Sequence, residues 1–353
     1  MEQVDLNRYE LGGALGSGAD YEVRAASDRE TGRQVVLKRP QPQMVRRRLH
    51  AGIEKRTDRT LRAHREVGHS VPQVVPVLGY TERTLHDEYF GESLGQEYRV
   101  TVEERAQGIP LVGDPMARIT GEPVGIGQNL FALFPLVAPD HHLPFPIQRQ
   151  LLDVEERFYQ AGFILLDLRP QNIFYQPGSA RITVVDCGAL TERPREGESA
   201  FISNPPGNPP AIPPLTPSRD IHDFYLEMLK FYTTSRHPPA EAEGYWEPHG
   251  LRPVVRFEQE LEEMSRDFGG TPGPLRDAAL LMIERVRGRS YAEFAGFRRD
   301  LTTYLEVLRD QNRRLPNLEQ VRQGWTEALG WLRSEYWQRF LFQPEADLAG
   351  FNI

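Results

Sequence analysis

The stretch Gly162–Gly188, GFILLDLRPQNIFYQPGSARITVVDCG, decides the reading of this chain. It opens with the apolar run Phe163 to Leu166, delivers Asp167, and sets Asn172 on a short polar turn. The β-branched run Ile182-Thr183-Val184-Val185 then leads straight into Asp186. Two carboxylates and a carboxamide gathered from a turn and a strand end make a cluster of hard oxygen ligands with one candidate base, which suits Mg²⁺ and phosphate chemistry. A carboxylate at the end of a buried strand is costly to desolvate unless something pairs it, so Asp186 is expected to have a partner.

Working outward, Tyr9 to Pro40 reads as three strands joined by tight turns: Tyr9-Glu10-Leu11 running into Gly12-Gly13, then Glu22 to Ala26, then Gln34-Val35-Val36-Leu37-Lys38. Leu15-Gly16-Ser17-Gly18 is a flexible bend between the first two, with small residues where phosphates would need close backbone approach. Of the 42 basic residues only Lys38, Lys55 and Lys230 are lysines. A lysine kept at the end of a strand, in a chain that otherwise uses arginine, is therefore informative.

Asp167-Leu-Arg-Pro-Gln-Asn172 followed by Asp186-Cys-Gly188 resembles the catalytic loop and the metal-binding D-F-G of eukaryotic-type protein kinases. Gly16-x-Gly18 with Val23 resembles their glycine-rich loop, and Val35-Val36-Leu37-Lys38 resembles their V-A-I-K strand. The resemblance spans roughly residues 9 to 310 and is densest at 162–188. It implies an α+β, bilobal protein-kinase-like fold: a small β-rich N-lobe over 1–134, a larger helical C-lobe over 135–312, and a C-terminal helical extension over 313–353.

It also implies an activity, an ATP- and Mg²⁺-dependent serine/threonine protein kinase acting on protein substrates. In that reading Asp167 orients the acceptor hydroxyl and takes its proton, Asn172 and Asp186 hold the metal, Lys38 holds the α- and β-phosphates, and Arg169 meets the γ-phosphate. Gly16 and Gly18 cover the phosphates, while Leu15, Val23, Val36 and Phe174 sandwich the adenine. Glu54 pairs with Lys38 from the helix after the third strand, with Glu66 as second choice, and Asp220 braces the catalytic loop.

The departures from the family pattern matter too. Tyr21 stands where a third glycine is usual, Leu165-Leu166 replace the histidine and arginine before the catalytic aspartate, and Cys187 replaces the phenylalanine of D-F-G. Loss of that arginine argues against switching by phosphorylation of the activation segment. No A-P-E motif is recognisable around Pro213-Pro214-Leu215-Thr216. Two alternatives remain: a small-molecule phosphotransferase of the aminoglycoside or choline kinase type, and a nucleotide-binding pseudokinase scaffold.

Bulk composition bounds these readings. The 353 residues, 39% hydrophobic and 26% charged, suit a globular chain with room for two domains or lobes. A formal charge of -8 argues against nucleic acid as a partner, and the Arg46-Arg47-Arg48 run reads as an exposed helix face. Cys187 is the only cysteine, which excludes an intrachain disulfide and multi-cysteine metal sites; it reads as a small buried filler. No apolar run is long enough for a bilayer and no signal peptide is apparent, so no membrane association and a cytoplasmic location are expected.

Between the motifs, Met44 to Gly68 has helical spacing at Val45, Leu49, Ile53, Leu61 and Val67. Two segments compete for the connection between lobes, the alternating strand ending at Glu103-Glu104-Arg105 and the apolar run Phe134–Val137. The second is preferred, which makes 81–128 a long insertion containing a hairpin. Ile147 to Ala161 is amphipathic and stops at Gly162. Thr191 to Pro217 is Pro-rich, a helix starts at Ser218, further helices cover Leu275–Val286 and Tyr291–Leu308, and Asn317–Phe342 reads as an added aromatic helix packed on the C-lobe.

Overall fold

Strand-forming alternation near the N-terminus produces a six-stranded sheet. A computed structural model describes residues 1–18, 20–111, 146–165, 172–176, 179–187, 190–192, 273–287, 290–291, 293–312, 323, 326, 329–341 and 343–348. Within them the chain is mixed α+β, with the β-rich sheet first and helices later. Strands β1 (Glu2–Gln3), β2 (Tyr9–Ser17), β3 (Tyr21–Asp28) and β4 (Gln34–Pro40) are followed by helices α1 (Pro42–Arg46) and α2 (Ala51–Val67). Next come β5 (Val77–Tyr80), the one-turn α3 (Asp87–Phe90) and β6 (Thr101–Glu104), completing the sheet order β1-β5-β6-β4-β3-β2.

The three expected strands are present, and the first is longer than its sequence suggested. β2 runs through Gly12-Gly13 to Ser17, with irregular register at Leu11/Ala14 and Ala14/Gly16. The Arg24 guanidinium donates to the Gly12 carbonyl at 2.7 Å, satisfying an acceptor that the irregular ladder leaves over. Pairing then assigns the faces. Ala26 lies opposite Val35 and Leu37 opposite Val102, and these four share a core with Val45, Phe90, Leu94, Tyr98 and Val100. The other face carries Tyr21, Val23, Ala25, Val36, Lys38, Thr101 and Glu103, because period-two alternation sends their side chains the opposite way.

The single helix expected over Met44–Gly68 is two helices. After Arg46 the chain turns with Arg48 at φ 59°, and bonds from Leu49 N to the Met44 carbonyl and from Arg48 N to the Val45 carbonyl, both 2.9 Å, close a Schellman-type end. Leu49, expected in the core, is exposed as a result, while Val45, Ile53, Leu61 and Val67 are buried.

The crossing from the first core to the second lies earlier than the preferred reading had it. β6 is an interior strand paired with both β4 and β5, so its residues Thr101, Val102 and Glu103 are buried and not half-exposed. From there the chain reaches β7 (Ile109–Pro110), which pairs with β9 (Ile173–Gln176) in the second core. Phe134–Val137 and the 134/135 boundary lie outside the described residues. Residues 81–104 hold an antiparallel bridge between Thr84 and Tyr98, helix α3 and strand β6 itself, the kind of extra β-structure expected there.

The second core is built on α4 (Pro146–Gln160), whose Leu151, Leu152, Val154 and Phe158 are buried, and which ends as expected before Gly162 at φ +88°. β8 (Phe163–Leu165) pairs with β11 (Leu190–Glu192), and β9 pairs with β10 (Arg181–Val184). α5 (Pro274–Arg287) and α6 (Phe294–Asn312) pack together, adding Met282, Phe297, Leu301 and Tyr304. The tail is not one helix over its described part. Ser334 caps α7 (Glu335–Gln338) by accepting from Trp337 N, and α8 (Pro344–Leu348) follows a second turn. It packs as expected, with Leu329, Leu332, Trp337 and Leu341 in the second core. No helix among the described residues is long and apolar enough to cross a membrane.

Gly108 is required at the crossing. Its φ is +90°, and a Cβ there would press into the Tyr175 carbonyl and the Gln176 amide of β9. Gly108→Ala is therefore expected to lower unfolding free energy by about 3 kcal/mol, from strain plus a backbone clash. Urea unfolding monitored by tryptophan fluorescence checks this.

Candidate functional site

Lys38 lies on the face of β4 opposite the first core, and its neighbours on the sheet decide where the ammonium points. Nζ donates to Asp186 Oδ1 at 2.7 Å, joining residues 148 positions apart in the chain. The lysine side chain is 9% exposed and that of Asp186 36%, so one end of the pair is enclosed and the other is open to an incoming group. Behind the ammonium lies the Tyr21 ring, with its centroid 4.4 Å from Nζ. The Tyr21 hydroxyl is engaged by Thr57 Oγ1 at 3.0 Å and the Ile53 carbonyl at 3.2 Å.

Asp186 is placed by the β9–β10 ladder. Val184 pairs with Ile173, and the next bond runs from Val185 N to the Asn172 carbonyl at 2.9 Å, so Asn172 and Asp186 leave adjacent strand ends side by side. A parallel bridge from Val74 to Val184 holds β10 on its other flank. Thr60 Oγ1 donates to the Cys187 carbonyl at 3.1 Å and ties the residue after Asp186 to helix α2. Cys187 itself is buried, as expected of a filler; burial pushes its thiol up, with Asp186 adding to the effect.

Electrostatics explain why Lys38 stays charged. Burial works against the ammonium, but the carboxylates of Asp186 and Glu103 overcome it and raise the lysine above its ordinary pKa. Glu103, 7% exposed, is raised by burial while Lys38 pulls it back. Burial also pushes Tyr21 up to about 12, against Lys38. His64 on α2 is lowered to about 4 by burial first and by Lys38 second.

The glycine-rich bend is held at its tip. Gly18 N donates to the Tyr21 carbonyl at 2.9 Å, Gln41 Nε2 donates to the Gly18 carbonyl at 2.6 Å, and Arg56 pairs with Asp20 at 2.6 Å. An added Cβ at Gly16 would meet nothing within 4 Å and at Gly18 only the Tyr21 carbonyl at 3.9 Å, and neither has a positive φ. The folded chain itself does not call for glycine at either position; a group approaching from outside would. Val23 and Val36 share the Lys38 face, and with Leu15 and Phe174 they are partly exposed apolar side chains.

The pairing expected between Glu54 and Lys38 is not formed. Glu54 is 2% exposed and accepts from Arg83 Nε at 2.7 Å and from Arg99 N at 2.9 Å, which directs it to the β5–β6 connection. The helix face nearer Lys38 presents Thr57 and His64. Glu66, the second choice, is exposed on α2. Asp167, Arg169 and Asp220 lie outside the described residues. Two residues went unassigned in the sequence: Glu103, since its facing depends on the β4–β6 register, and Tyr21, noted there only as a missing glycine.

Asn172 and Asp186 are hard oxygen donors suited to Mg²⁺. Among the described residues no three His, Cys, Asp or Glu side chains are grouped to hold a metal ion, so these two make a partial donor set. No protein-family model matches the chain, and no curated protein matches its sequence.

Two outcomes follow. Glu54→Ala leaves Arg83 Nε and the half-buried Arg99 N–H without this acceptor, so it is expected to lower stability by about 2 kcal/mol in denaturant unfolding. The second concerns pH. Unfolded, His64 takes up a proton near its usual 6.5, but folded only near 4, so the folded state binds fewer protons between these values. Stability is complete above pH 6.5 and falls by up to about 3 kcal/mol as pH drops toward 4. His64→Gln should flatten that slope in pH-dependent thermal melts, leaving the share of His86, which burial also lowers.

Proposed function

We propose that the chain is an ATP- and Mg²⁺-dependent phosphotransferase with the bilobal protein-kinase-like fold, acting on serine or threonine hydroxyls of protein substrates. The observation that carries this reading is the 2.7 Å contact between Lys38 and Asp186, with Asn172 on the adjoining strand end. An ammonium from a sheet lined by partly exposed apolar residues thereby meets the Asp186 carboxylate, with Asn172 as a second oxygen donor on the neighbouring strand end, an arrangement suited to holding a nucleotide triphosphate.

In this reading each described residue has a task. Val23, Val36, Leu15 and Phe174 enclose the adenine; Gly16 and Gly18 let the phosphates come close to the backbone; Lys38 neutralises the α- and β-phosphates. Asn172 and Asp186 would hold Mg²⁺, which when bound neutralises charge on the phosphate oxygens. Asp167, which the sequence sets between β8 and Asn172, would accept the proton of the acceptor hydroxyl, and Arg169 would face the γ-phosphate.

The purified chain incubated with γ-labelled ATP and Mg²⁺ should label itself or a generic protein substrate on serine or threonine. Asp167→Ala is expected to reduce transfer by about 10²-fold or more, and Lys38→Met likewise. ATP with Mg²⁺ at about a hundred times Kd should raise Tm, equivalent to about 2.7 kcal/mol. Absence of both transfer and stabilisation overturns the reading. Label only on added aminoglycosides or choline assigns a small-molecule phosphotransferase instead, and stabilisation without any transfer assigns a nucleotide-binding scaffold.

A further inference from the structure

We propose that Glu103 is the carboxylate that positions Lys38 for phosphate binding, filling from strand β6 a role that neither glutamate of helix α2 takes. The inference rests on the phosphotransferase reading and concerns how its lysine is held.

Asp186 has two prospective partners, the ammonium it grips in this structure and the metal ion it would hold with Asn172. Once its carboxylate turns to a metal ion, a lysine only 8% exposed would be left enclosed without a close counter-charge, a costly state. Among the described acidic residues around the lysine most are committed elsewhere: Glu54 to Arg83 and Arg99, Asp20 to Arg56, Glu22 to Arg39. Glu66 is exposed.

Glu103 differs from all of these. It lies opposite Val36 where Lys38 lies opposite Thr101, so the two side chains are diagonal neighbours on the same sheet face, within reach for long side chains. It is buried, accepts only a 3.3 Å bond from Thr101 Oγ1, and makes no ion pair among the described residues while Asp186 holds the lysine. Each group lies in the other's field. On the opposite side the Tyr21 ring, fixed through its hydroxyl to α2, limits where the ammonium can go. A small swing of Nζ from Asp186 toward the phosphates keeps it beside Glu103. Lysine placement thus depends on the sheet itself.

A double-mutant cycle tests this. Glu103→Gln, which preserves shape and the Thr101 bond, is made in the wild-type chain and in Lys38→Met, with Lys38→Gln as the second background should the first not fold. Two quantities are measured in all variants: Tm without nucleotide, and Kd for a fluorescent N-methylanthraniloyl ATP. The expected result is affinity about tenfold weaker for Glu103→Gln in the wild type and unchanged in the lysine-less background. Tm should fall by a few degrees in the wild type and stay level or rise when Lys38 is gone. Equal Tm shifts in both backgrounds, or unaltered affinity for Glu103→Gln in the wild type, would overturn the proposal. If the wild type binds no nucleotide, the phosphotransferase reading fails, and the Tm cycle alone decides whether Glu103 and Lys38 are coupled.

Discussion

A buried ammonium on β4 and a carboxylate just past β10 meet at 2.7 Å, and the arrangement of both cores around the site can be understood from what that contact demands. The enclosed ammonium could not be taken from water without a counter-charge. The ammonium needs a strand whose face is apolar enough to enclose it and whose backbone bonds are all satisfied, which interior placement of β4 between β3 and β6 provides. The carboxylate needs a rigid strand end, which β10 supplies by pairing with β9 on one side and meeting Val74 on the other.

The same contact explains the work of helix α2. Its N-terminal half belongs to the sheet, through Ile53 and Thr57 against Tyr21, and its C-terminal half belongs to the second core, through Ala63 and Val67. Thr60, between them, bonds the Cys187 carbonyl next to Asp186. The helix is therefore fastened to both ends of the ion pair, and the buried Glu54 with its two donors fastens it also to the β5–β6 connection. A helix held at so many points is a fixed wall of the site, in keeping with a lysine positioned from the sheet.

Tyr21 shows how a departure from a family pattern can carry its own physical sense. A glycine there would leave Lys38 facing open space toward α2; the tyrosine fills that space, sets a π face under the ammonium, and spends its hydroxyl on the helix. Gly16 and Gly18, by contrast, sit where the chain's own packing leaves room on their Cα atoms.

Local chemistry was enough to reveal the strands around Val23, Val36 and Ile182, the stop of α4 at Gly162, the buried Cys187, and Asp186 as a carboxylate in need of a partner. Alternation, turn chemistry and the cost of burying a carboxylate act over a few residues and leave their mark in the sequence. Partners across the fold left no such mark. Glu54 went to Arg83 and Arg99, Glu103 came to face Lys38, the crossing came at Gly108, and α1 broke from α2 at Arg48, all because strand register and helix rotation are decided by how distant segments pack. A charged side chain in sequence announces that it will need a partner, and only the folded chain's geometry selects which one.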